Sequence, residues 1–241
     1  MDGTGQRWTE PTTGYWQTLL PDWPGGRPPT PPYRFGYPVR LPDGRVLVLP
    51  IRPLPDGTHA VASLIANQAS FAVVRALAGF MARAADEAGA ETIVGLPTLG
   101  LAFAPLVAED LGHARYVPLG YSRKFWYEDR LSEPVASITS PGGGKRIFVD
   151  PNQLDLLRGR RIVVVDDAVS SGTTAAAVAR LFGRLGLDVA AIVVAMRQTQ
   201  RWRAPLAAVD PALPDRVRGV FDCPRLAATA EGWVPVEDSE A

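Results

Sequence analysis

The 241-residue chain is 46% hydrophobic and 21% charged, and its 25 Lys and Arg balance 25 Asp and Glu to a net charge of zero. That balance excludes wholesale electrostatic capture by nucleic acid or an anionic membrane and leaves anion binding to a local site. A single cysteine, Cys223, excludes an internal disulfide framework and a Cys-rich zinc module.

At the N-terminus, MDGTGQRWTEPTTG has neither a basic nor an apolar leader pattern, and no apolar run in the chain approaches membrane-spanning length. A soluble, cytoplasmic protein is the expectation. Residues 1–57 hold 12 of the 23 prolines and three of the six tryptophans, a density that forbids long helices and central strands. Trp8, Trp16, Trp23, Tyr33, Phe35 and Tyr37 argue against disorder. An extended arm packed over the main domain or a neighbouring subunit is therefore expected. Within it, YPVRLPDGRVLVLPIR predicts a hairpin turning at Pro42-Asp43-Gly44.

From residue 58 helices and strands alternate. The stretch HAVASLIANQASFAVVRALAGFMARAADEAGA places Leu64, Ile65, Phe71, Val74, Leu77 and Met81 at helical spacing, with Gly89 as a stop. ETIVGLP (91–97) reads as a buried strand, LAFAPLVAEDLG (101–112) as a helix and ARYVPLG (114–120) as the next strand. SITSPGGGKRIFV (137–149) reads as strand, Gly-rich turn and strand. RIVVVDD (161–167) is the fully apolar kind of strand that lies between two helix layers. TTAAAVARLFGRLG has Val178, Leu181, Phe182 and Leu185 on one face and Gly186 as its C-cap. DVAAIVVAMR (188–197) is a further buried strand, and the alternation as a whole predicts a parallel, three-layer α/β sheet. Cys223 reads as a small buried residue, and His59 and His113 as structural or surface residues that share no ligand spacing.

Chemistry concentrates where the apolar strand meets two adjacent carboxylates. Ligands of open parallel sheets sit outside the carboxyl ends of the strands, and Asp166 and Asp167 stand at such an end. Ala168, Val169, Ser170, Ser171, Gly172, Thr173 and Thr174 then form a tight entry into a helix. Such an entry aims backbone N–H groups and a helix N-terminus at one point, which suits phosphate. Gly172 lets the backbone approach closely, and the hydroxyls of Ser170, Ser171, Thr173 and Thr174 add donors. The carboxylates are left to accept from a sugar diol, or to face Mg²⁺ held through such hydroxyls. A ribose 5-phosphate satisfies both halves. The competing reading is an ordinary strand-to-helix turn with solvated aspartates, which a lone aspartate pair would favour.

The string Asp166–Thr174 resembles the phosphoribosyl-diphosphate (PRPP) motif of the type I phosphoribosyltransferases: a strand, two acidic residues, three variable residues, then Thr/Ser-Gly-x-Thr. The resemblance implies an α/β fold with a parallel-sheet, three-layer core and a hood formed by the N- and C-terminal segments. It divides the chain into a Pro/aromatic-rich arm and hairpin (1–57), a core (58–200) with a lid over 120–146, and a C-terminal hood segment (201–241). A pyrophosphate loop is implied at Thr98, Leu99 and Gly100, and lid cations at Arg123 and Lys124, whose alternative is solvated loop charge. Phe125, Trp126 and Tyr127 can anchor the lid, stack on a base, or pack against the arm. In the hood, Phe221 and Trp233 are candidates to stack on the base, with core packing as the alternative.

Within that family the Arg-Lys pair, the DLLRGRRIVVVDD lead-in and the GLAFAPLVAEDLG helix are most similar to the adenine (purine) phosphoribosyltransferases. Those enzymes carry Ala-Arg-Gly where this chain has Thr98-Leu99-Gly100, and a lid glutamate that VASITSPGGG does not supply. Ser170 stands where the hypoxanthine-guanine enzymes have aspartate, and the Lys-rich lid of the orotate enzymes is missing. The resemblance implies Mg²⁺-dependent transfer of the 5-phosphoribosyl group of PRPP to a nucleobase, a purine, with release of pyrophosphate. Asp166, Asp167, Arg123 and Lys124 would be catalytic, with Mg²⁺ arriving on PRPP near the aspartates and not held by a dedicated side chain. A homodimer is implied, with no nucleic-acid or membrane partner. The alternative is a PRPP-binding regulatory protein with weak or no catalysis, which the missing arginine and glutamate favour.

Overall fold

A computed structural model describes residues 10–135 and 145–236. Its proline-rich arm is packed down rather than free: Leu20 bridges to Val46, and the buried Trp16 donates its indole N–H to the Ser63 carbonyl at 3.0 Å. Trp8 lies outside the described residues. The expected hairpin is present as β1 (Gly36–Arg40) and β2 (Val46–Pro53), antiparallel, with Arg40 opposite Val46. Gly44 makes the turn possible, with φ +90° and its N–H on the Leu41 carbonyl at 2.9 Å.

The long helix expected after residue 58 splits in two. His59–Ala62 forms β3, antiparallel to β2, and α1 runs only over Phe71–Glu87. Ser70 sets that start, its Oγ accepting from the Val73 N–H at 3.3 Å and satisfying an otherwise free helix donor. Leu64 is buried but precedes the helix, as does Ile65, and Phe71 is 87% exposed. Residues 59–62 fold back on β2 across the short 54–58 connection, where the Leu54 N–H donates to the His59 carbonyl at 2.7 Å.

The chain continues through β4 (Thr92–Gly95), α2 (Ala104–Asp110), β5 (Val117–Pro118), β6 (Ser132–Pro134) and β7 (Arg146–Phe148). Strands β6 and β7 pair antiparallel, so the second limb of the expected Gly-rich hairpin is found, as β7. Residues 136–144, with the whole first limb and the Pro141-Gly142-Gly143-Gly144 turn, lie outside the described residues. Then follow β8 (Arg161–Val169), α3 (Thr173–Arg184), β9 (Asp188–Gln198), α4 (Arg203–Ala207), β10 (Val217–Cys223), β11 (Arg225–Ala228) and β12 (Trp233–Val236).

Five strands form a wholly parallel sheet in the order β10-β9-β8-β4-β5. Val163 and Val165 of β8 pack with Leu77 and Met81 of α1 and Val107 of α2. Ile162 and Val164 pack with Val178, Leu181 and Phe182 of α3 on the opposite face. Each such side chain is worth about 1.5–3 kcal/mol when fully buried, so a strand at the sheet's centre is apolar on both faces. The second sheet, β1-β2-β3-β11-β12, is drawn from the two ends of the sequence. The C-terminal segment therefore serves both sheets, β10 at the edge of the parallel one and β11–β12 in the other.

Candidate functional site

Strand β8 does not stop at its carboxylates. It runs on to Val169, with Asp166 opposite Val194 of β9, so the ladder itself fixes where the acidic pair stands. Asp166 accepts the Asp167 N–H at 2.9 Å and the Gly100 amide as well. Burial pushes the Asp166 carboxyl well above the usual range, and the neighbouring Asp167 charge adds to the effect. Asp167 is raised too, chiefly by burial, and the two carboxyls are hydrogen-bonded to each other.

The β4–α2 turn meets this pair backbone to backbone. The Leu96 N–H donates to the Val165 carbonyl at 2.9 Å, and a Cβ on Gly100 would stand 2.7 Å from that same oxygen. Only glycine fits there. Thr98 is exposed, Leu99 packs its side chain toward the core, and the Pro97–Thr98 peptide is cis.

On the other side of Asp166, residues 168–174 line a cavity of about 190 Å³ that Asp166 itself helps to close. Gly172 caps α3 with φ +73°, and a Cβ there would lie 2.8 Å from the Trp202 carbonyl oxygen. The Ser171 and Thr173 hydroxyls are 2.9 Å apart, and Ser170 and Ser171 face solvent. The cavity thus combines a helix N-terminus, small hydroxyl side chains and a carboxylate wall, an arrangement suited to phosphate on one side and hydroxyl groups on the other.

Sequence reasoning missed Tyr121. Thr174 hydrogen-bonds its hydroxyl, and burial raises that hydroxyl above its ordinary pKa range, with the Asp166 and Asp167 charges adding to the effect. The Lys145 ammonium lies 5.1 Å from the Tyr121 ring centroid. Its signal in the sequence was slight: one tyrosine just inside the segment read as a lid.

Arg123 and Lys124 stand apart from the aspartates. The Arg123 guanidinium pairs with Asp129 at 3.1 Å, Lys124 is exposed, and neither cation acts on Asp166 or Asp167. Phe125 is 97% exposed and meets Trp126 edge to face at 4.8 Å, while Trp126 meets Tyr127 in the same way at 5.8 Å. The stacking candidates Phe221 and Trp233 are corrected to packing residues. They are 6% and 2% exposed, Phe221 in the cluster under α1 and Trp233 with Ile51 and Leu226. Strand alternation at β10 and β12 turns both rings inward. Cys223 is buried, and that burial pushes its thiol well above the usual range.

Among the described residues no three His, Cys, Asp or Glu side chains gather to hold a metal. Two raised carboxyls, neither of them in a salt bridge among the described residues, do fit a divalent ion that brings its own oxygen ligands. No described helix is long and apolar enough to cross a membrane.

Comparison with known proteins places this geometry among relatives. A family model described as "phosphoribosyl transferase domain" matches residues 60–217. The chain is 34% identical over 121 residues to an adenine phosphoribosyltransferase of Mycobacterium avium, covering 49% of this chain and 62% of that one. It is 31% identical over 136 residues to the Frankia alni protein of the same name, covering 56% and 67%. The match thus spans less than two thirds of the Mycobacterium relative's length. Among solved structures, the adenine phosphoribosyltransferase of Thermoanaerobacter pseudethanolicus superposes with a TM-score of 0.52 at 23% identity, covering 63% of this chain and 81% of that one. The Leishmania tarentolae protein does so with a TM-score of 0.52 at 18% identity, covering 64% and 72%. These likenesses identify the fold.

Proposed function

Because the chain belongs to the phosphoribosyl transferase domain family, we propose that it transfers the 5-phosphoribosyl group of PRPP to a nucleobase, a purine, and releases pyrophosphate. One observation carries the reading: the carboxylate pair, the 168–174 cradle and the Gly100 amide converge on Asp166. The shared name of the relatives supports a purine acceptor.

In this reaction a ring nitrogen of the base bonds to ribose C1 while the C1–O bond to pyrophosphate breaks. The electron pair of that bond leaves with pyrophosphate, and the base gives up its N–H proton. Positive charge spreads over the ribose ring on the way. Asp166 and Asp167 accept from the ribose hydroxyls and face that charge. Ser170 to Thr174, with Tyr121 beside Thr174, hold the 5-phosphate, whose remote binding energy orients C1. The exposed Thr98 hydroxyl and the 98–100 backbone receive the pyrophosphate, and Arg123 and Lys124 join it as the lid closes. Asp166 and Asp167 would stand beside Mg²⁺ carried in on PRPP, an ion that would supply charge neutralisation to the leaving pyrophosphate. The second sheet supplies the hood over the acceptor.

A PRPP-binding regulator is the second reading. Leu99 in the pyrophosphate loop and the commitment of Arg123 to Asp129 favour it. The test is incubation with PRPP, Mg²⁺ and each common purine and pyrimidine base, with chromatographic detection of the nucleotide. A purine nucleoside monophosphate is expected. Tight PRPP binding without product on any base selects the regulator, and no PRPP binding overturns both. We propose a cytoplasmic location. We propose a homodimer, as the family resemblance implies, and sedimentation showing only a monomer would remove it.

A further inference from the structure

A second cleft, of about 300 Å³, opens at the other end of the parallel sheet, where β4 and β5 begin. It lies roughly 16 Å from the carboxylate pair, five residues back along β8 at ~3.3 Å each. Thr92 and Leu156 form its floor and are tied together, the Thr92 hydroxyl donating to the Leu156 carbonyl at 2.9 Å. The segment bearing Asp155 and Arg160 is thereby fixed to β4.

The charges around this cleft are unevenly committed. Glu91 already accepts the Arg161 N–H at 2.8 Å, and Asp155 is paired with Arg158 at 2.8 Å. Arg115 and Arg160 also line it, and among the described residues neither guanidinium has a hydrogen bond or ion pair. His113 also lines the cleft, its Nδ1 buried without a partner among the described residues. Two uncommitted guanidinium forks on one cavity are the donor set that phosphate and carboxylate groups accept from bidentately. A cleft of this size takes more than a bare ion. The free oxygen of Glu91 can accept from a hydroxyl on the same molecule.

We propose that this cleft binds a phosphate monoester, its phosphate held by Arg115 and Arg160 and its hydroxyl-bearing part lying toward Glu91. The site is separate from the cavity at Asp166 and does not depend on the reaction assigned there.

The test is calorimetric titration of the full chain carrying Ser171→Asp, which sets a negative charge in the 168–174 cradle and keeps phosphate out of it. The probes are inorganic phosphate and adenosine 5-monophosphate. One saturable site is expected to remain in that background, binding the monoester more tightly than phosphate. Arg115→Ala with Arg160→Ala should weaken it by at least about tenfold, since hydrogen bonds to charged groups contribute ~1.5–3 kcal/mol. Both arginines are exposed and unpaired among the described residues, so the melting temperature should hold, and Arg160→Glu provides a second variant. Absence of any binding to Ser171→Asp, or affinity unchanged by the arginine substitutions, would overturn the proposal.

Discussion

The turn after β8 and the segment after β5 are assigned to one ligand, yet they are held in opposite ways. Around Asp166 backbone meets backbone: a Cβ on Gly100 would come within 2.7 Å of the Val165 oxygen, and one on Gly172 within 2.8 Å of the Trp202 oxygen. Around Arg123 the tie is an ion pair whose side chains are 58% and 72% exposed. Pairs of that kind contribute about 0–1 kcal/mol. The first region is built before a ligand arrives, and the second exchanges partners at little cost. On the proposed function, chemistry that needs fixed donors falls to the first, and closure over a bound ligand to the second.

Breaking the fixed region should have the largest effect. Asp166→Asn and Asp167→Asn are each expected to lower kcat by about 10²-fold or more, read as pyrophosphate release. Their stability should move the other way. The Asp166 carboxyl titrates above its unfolded value, so the stability it contributes is fully present below the ordinary carboxylate pKa and is lost as pH rises through the raised one. At neutral pH Asp166→Asn should therefore melt higher than the unsubstituted chain, by about 2–4 °C for each kcal/mol relieved. The gap should close toward acid pH. Melts across about pH 4 to pH 8 check this, and a variant that melts lower at neutral pH would show that the pair is not strained.

Gly100→Ala and Gly172→Ala come next. Each forces a Cβ against backbone, and a loss of about 1–3 kcal/mol in unfolding free energy is expected, with weaker PRPP binding. Denaturant unfolding reads the first effect and calorimetry the second. On the loosely held side, Arg123→Ala should leave stability within about 1 kcal/mol while lowering turnover about tenfold. Asp129→Asn, which releases Arg123, should not lower turnover at all. If both substitutions reduce turnover equally, Arg123 serves its ion pair and not the leaving group. The smallest effect expected is that of Tyr121→Phe, a rise of about fivefold in the KM for PRPP with kcat unchanged, as suits one lost hydrogen bond.

The parallel core was legible because its causes are local. Ile162 to Val165 had to be apolar on both faces, and Gly172 had to be glycine where backbone passes backbone. Residues 59–62 were not legible as a strand although β2 lies only a short turn away, because their apolar spacing runs on toward α1; their second partner, β11, comes from far along the sequence. Tyr121 carried no pattern of its own and is marked only by its contact with Thr174. For Phe221 and Trp233 the residue type invited a binding role that strand register refused, because register decides which face a ring takes. In the 120–146 segment, charge and aromatic content were visible, whereas the Asp129 partner of Arg123 was not.

Calorimetric titration of PRPP with Mg²⁺ into the unsubstituted chain and into Ser171→Asp is the most direct test of the site at Asp166. One site per chain is expected, weakened at least about tenfold by the added charge, which repels the 5-phosphate. Binding of equal strength in both chains, or none in the unsubstituted one, would contradict the assignment of that cavity to PRPP.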